Sequence, residues 1–249
     1  MKLCIVVYGC LSRSLGINIQ NHNEKILMPI KRHHIDYDIY YINNNVKNID
    51  GIEVTRFDSK EIKFKDFFEY DQECIDEIIR NKFPDYKSFF RKGYIKKHGL
   101  SPIRNAFLES KISELLKEKK DYTHAIAFCS DLWFEKEIDM TWSYDSRVII
   151  SDTNPSGGYT NGFYFGKREY IADLLDIFFD LRENAKNDYE DLIKRKVINF
   201  NIPIEIKKYR FLKIRADGSP AYENLQWTYI WDRVKYIKED YQDARSKNT

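Results

Sequence analysis

Two apolar runs in this chain end on a hydroxyl followed by a carboxylate, and polar residues at the close of buried strands are where α/β proteins place their chemistry. His124-Ala125-Ile126-Ala127-Phe128-Cys129 delivers Ser130 and Asp131, and Val148-Ile149-Ile150 delivers Ser151 and Asp152. Asp131, followed by Leu132-Trp133-Phe134, is the more pointed of the two. A lone carboxylate there can hold a divalent cation that in turn holds a diphosphate, or it can serve as a plain turn or cap residue. Asp152 stands beside a polar stretch, Thr153 to Thr160, that suits either a lid or a simple connector. An earlier run, Leu3 to Tyr8, closes at Gly9 and leads into Cys10-Leu11-Ser12-Arg13, a loop with a permissive glycine, a hydroxyl and a guanidinium. Tyr37 to Ile42 closes on Asn43-Asn44-Asn45. Arg104 falls in the first turn of a helix predicted to be capped by Ser101 and opened by Pro102, where backbone N–H groups favour an anion. Arg13 and Arg104 are therefore candidate phosphate ligands, with a structural ion pair as the alternative for each. No GxGxxG follows the first run and no GxxxxGK[ST] occurs, which argues against a dinucleotide enzyme or a P-loop NTPase.

These residues need strands and helices to bring them together. The continuous apolar runs read as central strands of a mostly parallel sheet. Between the first two, Asn23 to Arg32 predicts a helix with Ile26, Leu27 and Ile30 on one face, a βαβ opening. Phe67, Phe68, Ile75, Ile78 and Ile79 suggest a further helix, and Leu108, Ile112, Leu115 and Leu116 mark the one that Ser101 opens. Asn161-Gly162-Phe163-Tyr164-Phe165-Gly166 reads as another strand, followed by a helix carrying Ile171, Leu174, Leu175, Phe178 and Leu181. A shorter helix starts near Asp188, and Ile202 to Ile214 reads as an edge pair of strands, with Pro203 favouring an edge. Trp227 and Trp231 can stack on a sugar face or belong to the core.

Composition bounds the class. With 249 residues, 43% of them hydrophobic and 15% aromatic, the chain can offset the entropy of ordering and form one α/β domain, 1–249. Lys and Arg number 41 against 39 Asp and Glu, a balance that removes the usual footprint of a nucleic-acid binder; the basic cluster Arg91 to Lys97 is short. Cys4, Cys10, Cys74 and Cys129 form no CxxC pair, which argues against a zinc site or a disulfide framework. Leu3 to Tyr8 is too short for a membrane span and lacks a following cleavage site, so the expectation is a cytoplasmic protein without a transmembrane segment.

Taken in order, Asp121-Tyr122 leading to Cys129-Ser130-Asp131-Leu132-Trp133-Phe134, then Asn161 to Gly166, Tyr189-Glu190-Asp191-Leu192 and Lys213-Ile214-Arg215-Ala216-Asp217-Gly218 resemble the nucleotide-sugar-dependent glycosyltransferases of the GT-A fold. The resemblance spans nearly the whole chain and is similar to that of small bacterial and large-virus enzymes. It implies a Rossmann-like, mostly parallel central sheet flanked by helices, with a small antiparallel edge element. It also implies transfer of a hexosyl or pentosyl group from a nucleotide sugar, most simply a UDP-sugar, to a hydroxyl of a glycan or other acceptor. On that reading Gly9, Arg13, Asn43, Arg104 and Ser130 hold the nucleotide. Asp131 meets the diphosphate with Mn²⁺ or Mg²⁺, and Asp191 is the base that takes the acceptor proton, with Asp152 as the second choice. The sequence departs from the family in two places: Cys129 stands where an acidic residue is usual, and no His follows His124. Two other classes stay open, a nucleotidyltransferase and a catalytically inactive glycan- or nucleotide-binding protein of the same fold.

Overall fold

The computed structural model describes residues 1–49, 52–53, 63–153 and 158–214, and the side chains of 13–17, 49, 52 and 53 lie outside that description. Its strands are β1 (Lys2–Gly9), β2 (Asp36–Asn45), β3 (Asn48–Ile49), β4 (Ile52–Glu53), β5 (Asp66–Asp71), β6 (His124–Cys129), β7 (Leu132–Phe134), β8 (Val148–Ser151), β9 (Phe163–Lys167), β10 (Ile204–Lys207) and β11 (Phe211–Lys213). The α-helices are α1 (Leu11–His22), α2 (Met28–Arg32), α3 (Gln72–Lys82), α4 (Tyr94–His98), α5 (Ser101–Glu118), α6 (Arg168–Leu175), α7 (Leu181–Asn184) and α8 (Tyr189–Asn199).

Seven strands form one sheet in the order β10-β8-β9-β6-β1-β2-β5, and only β9 runs antiparallel to its neighbours. The mixed α/β class, the flanking helices and the small antiparallel element are as expected. β1 lies at the centre and is apolar on both faces, because helices cover both. Leu3, Ile5 and Val7 pack with Leu11, Ile26 and Ile30 on one side; Cys4, Val6 and Tyr8 pack with Ile75, Ile79, Ile103, Ile112 and Leu116 on the other. Strand alternation thus divides one run between two cores.

Five expectations need correction: first, the helix after β9 ends at Leu175, leaving Phe178 outside it and Leu181 at the start of α7. The chain turns helical at Leu11, so Cys10 to Arg13 is the start of α1 rather than a loop, and a π-helical turn, Asn23–Leu27, joins α1 to α2. Phe67 and Phe68 lie on β5, not on the helix that carries Ile75 and Ile79. Ser101 is the first residue of α5 rather than its cap; Leu100 holds that position. Ile204–Lys207 and Phe211–Lys213 do not pair with each other. β10 adds parallel to β8 at the sheet edge, while β11 pairs antiparallel with β7, a partner almost 80 residues earlier that no local pattern announces.

Candidate functional site

The order of the sheet reverses at its centre: β2 and β5 extend from one side of β1, and β6 lies on the other. Beyond the carboxyl ends of strands at such a switch point, open α/β sheets form their ligand crevice. Gly9 ends β1 there with φ of +112°, and a Cβ on it would lie 3.5 Å from Ser130 Oγ. Only glycine takes that backbone without strain, and it lets β1 turn directly into α1. The buried Ser130 donates its N–H to the Tyr8 carbonyl at 2.8 Å. Asn43, the register partner of Gly9, accepts the Leu11 N–H at 3.1 Å and donates to Glu69 at 3.1 Å. Gly9, Asn43 and Ser130 therefore meet at one point, where α1 begins with its positive dipole end.

A polar stripe on α1 holds the turn after β6. Asn18 donates to the Ser130 carbonyl at 3.1 Å, and Asn21 both donates to the Phe134 carbonyl at 3.0 Å and accepts the Phe134 N–H at 2.8 Å. His22 Nε2 donates to the Leu132 carbonyl at 2.7 Å. Burial lowers the His22 pKa to about 4, so the ring is neutral at physiological pH and keeps one proton for that carbonyl. From the opposite side the Ile214 N–H reaches the Asp131 carbonyl at 2.8 Å. Asp131 is thus presented on a turn fixed from both flanks.

Cys129, two residues before it, donates its N–H to the Gly162 carbonyl at 2.8 Å. Burial first, and then the charge of Asp131, push its thiol up to about 12. A thiol held protonated is not a nucleophile at neutral pH. Among the described residues no three His, Cys, Asp or Glu are placed to share a metal ion. The described residues therefore do not fit a protein-built cage for Mn²⁺ or Mg²⁺.

The third wall is the first turn of α8. Asp188 caps it, accepting the Asp191 N–H at 2.9 Å. Gly158 packs against it so closely that a Cβ would lie 2.1 Å from the Glu190 carbonyl, and the Tyr159 N–H donates to that same oxygen at 3.0 Å. Burial raises the Glu190 carboxyl, opposed by the charges of Lys213 and Arg91. Lys213, on β11, donates to Asn161 at 3.1 Å. Its charge also acts on Cys129, which places it between the β6 turn and α8.

Beneath this wall Glu109 of α5 is fully buried and accepts four hydrogen bonds. Tyr8 on β1 donates at 2.7 Å, Tyr189 on α8 at 2.8 Å, Asn105 at 3.1 Å and Tyr164 on β9 at 3.3 Å. Burial raises its pKa, and the four donors pull it back. The network ties the strand end beside Ser130 to the helix turn beside Glu190.

The remaining predicted residues are dispersed. Arg104 makes a two-point ion pair with Asp76 of α3, at 2.6 and 2.7 Å, so its guanidinium is already engaged. Asp191 accepts from Arg195 at 2.8 Å and Asn187 at 3.1 Å. Asp152 donates its N–H to the Lys207 carbonyl at 2.9 Å, and its Oδ1 is buried with no hydrogen-bond partner among the described residues. The side chain of Arg13, the centre of the Thr153 to Thr160 stretch, Arg215 to Gly218, Trp227 and Trp231 lie outside the described residues. Sequence reasoning passed over Glu190 and Lys213 as individual residues, although both stand in the quoted motifs. It also missed Asn18, Asn21 and His22, whose spacing marks one face of a helix.

No protein-family model matches the chain, and no curated protein matches it. Among solved structures it is similar to mouse xyloside xylosyltransferase 1 in its apo form, with 10% sequence identity and a TM-score of 0.41, over 83% of this chain and 85% of that one.

Proposed function

We propose that the chain is a glycosyltransferase that moves a sugar from a nucleotide sugar, a UDP-sugar in the first instance, to a hydroxyl of a glycan or other acceptor. The observation that carries this reading is the convergence of Ser130, Asp131, Lys213 and Glu190 around the switch point between β1 and β6. The diphosphate lies across the start of α1, where the helix dipole and the Lys213 ammonium meet the charge that builds on the departing phosphate. Displacement breaks the bond from the anomeric carbon to the phosphate oxygen and forms one to the acceptor oxygen, through an oxocarbenium-like transition state. In the inverting form of the reaction the acceptor proton passes to a carboxylate.

Glu190 suits that step better than Asp191. Its pKa is raised by burial, which makes it the stronger base, whereas the Asp191 carboxylate is held by Arg195 and Asn187. Asp152, with an unpartnered oxygen, remains the second choice. Donor turnover without acceptor tests the reading: the wild type slowly releases free nucleoside diphosphate from one UDP-sugar, and with acceptor Glu190→Gln loses about 10²- to 10⁴-fold in rate. Unchanged transfer by Glu190→Gln together with loss in Asp152→Asn would reassign the base. Absence of turnover with every nucleotide sugar would leave a binding protein of this fold.

A further inference from the structure

From Tyr86 to Leu108 the chain contains no Asp or Glu, yet it carries Lys87, Arg91, Lys92, Lys96 and Lys97, all five exposed. None of the five forms an ion pair among the described residues, while the neighbouring cations Arg182 and Arg195 are paired with Asp85 and Asp191. Elsewhere the two signs of charge are interleaved, so this stretch of the chain is one-signed; the acids Asp188 and Glu190 at the start of α8 act on Tyr94 and, for Glu190, on Arg91. It is also fastened to the lip of the candidate site. The Arg91 N–H donates to the Asn187 carbonyl at 3.0 Å, the Tyr189 N–H donates to the Tyr94 hydroxyl at 3.3 Å, and the Arg91 charge acts on Glu190. The strip therefore borders Glu190 on the Arg91 side.

We propose that the strip is the acceptor surface and that the acceptor is a polyanionic glycan, a saccharide chain with repeated acidic groups. This rests on the transferase reading and names its substrate class. Arg91 and Lys92 precede α4, and Lys96 and Lys97 stand near its far end; a helix of five residues advances about 7.5 Å, so the two groups of cations meet separate charges rather than one. A bilayer is the less suitable polyanion, because none of the exposed large apolar side chains among the described residues lies between Tyr86 and Leu108 to enter it.

The test measures binding of oligogalacturonate, of a neutral maltooligosaccharide of the same length and of phosphatidylglycerol vesicles to the wild type and to a Lys92→Gln, Lys96→Gln, Lys97→Gln variant. Thermal stabilisation by UDP is followed in parallel. The expected result is binding of oligogalacturonate over the neutral chain, weakened about tenfold in the variant and by added salt, with UDP stabilisation unchanged. Equal affinity for the two saccharides, or an unaffected variant, overturns the surface assignment, as does binding of vesicles without binding of oligogalacturonate. UDP stabilisation with no preference for the acidic chain overturns this inference alone. Binding of the acidic chain with no stabilisation by UDP overturns the UDP-sugar transferase reading instead.

Discussion

Glu109 and Glu190 are both glutamates whose pKa burial has raised, and they are linked through Tyr189, which donates to Glu109 on α5 and precedes Glu190 in the first turn of α8. Their surroundings divide their tasks. Glu109 is enclosed by three phenolic hydroxyls and an amide, each donating to it, so its oxygens are satisfied and have no route to solvent or substrate. Glu190 stands at the lip of the crevice, with the charges of Lys213 and Arg91 acting on it rather than a closed set of donors. A buried carboxylate becomes structure when its hydrogen bonds are completed by the fold, and chemistry when the fold leaves them to a ligand.

Substitutions break this comparison in opposite directions. Glu109→Leu leaves three tyrosine hydroxyls and Asn105 facing an apolar side chain in a dry interior, and is expected to lose about 3–5 kcal/mol of stability in urea unfolding. Glu190→Gln is expected to change stability by less than about 1 kcal/mol, its effect appearing in turnover instead. If the two substitutions cost equal stability, the division between them fails.

His22 extends the comparison to the other face of the sheet, where a neutral ring does what Glu109 does beneath α8. Its folded pKa of about 4 lies below the ordinary 6.5, so the unfolded chain takes up a proton first as pH falls. Stability is therefore full above pH 6.5 and declines toward pH 4, by about 3 kcal/mol from this residue alone. Urea midpoints across that range check the sign, and His22→Asn should flatten the decline. A smaller loss than at Glu109 or His22 is expected at Asn43: removing its cap from α1 with Asn43→Ala should cost about 1 kcal/mol in urea unfolding.

The strand ends that carry Ser130, Asp131 and Asp152 were legible because continuous apolar runs announce central strands whatever their surroundings. α1 was not legible, since the face it turns inward carries Asn18, Asn21 and His22, and hydrogen bonds to the backbone of the turn after β6 and of β7 replace the apolar periodicity that marks a buried helix face. Phe67 and Phe68 misled for a related reason: adjacent aromatics on an outer strand resemble the start of the amphipathic helix that follows them. The pairing of β11 with β7, which brings Lys213 to the crevice, is a contact between distant segments. The motifs named the right neighbourhood in Tyr189-Glu190-Asp191, but choosing between the two acids required knowing that Arg195 and Asn187 hold one of them.

The central claim is that the crevice beyond β1 and β6 takes a nucleoside diphosphate. Its most direct test is thermal unfolding of the wild type, Lys213→Met and Asp131→Ala with UDP, GDP and CMP, each without metal and with Mn²⁺. At about 100 times its dissociation constant a ligand adds about 2.7 kcal/mol of stability. The account predicts that one nucleotide family, UDP first, raises the wild-type midpoint and that Lys213→Met removes most of the rise. No shift with any nucleotide, or the same shift in the wild type and both variants, would contradict it.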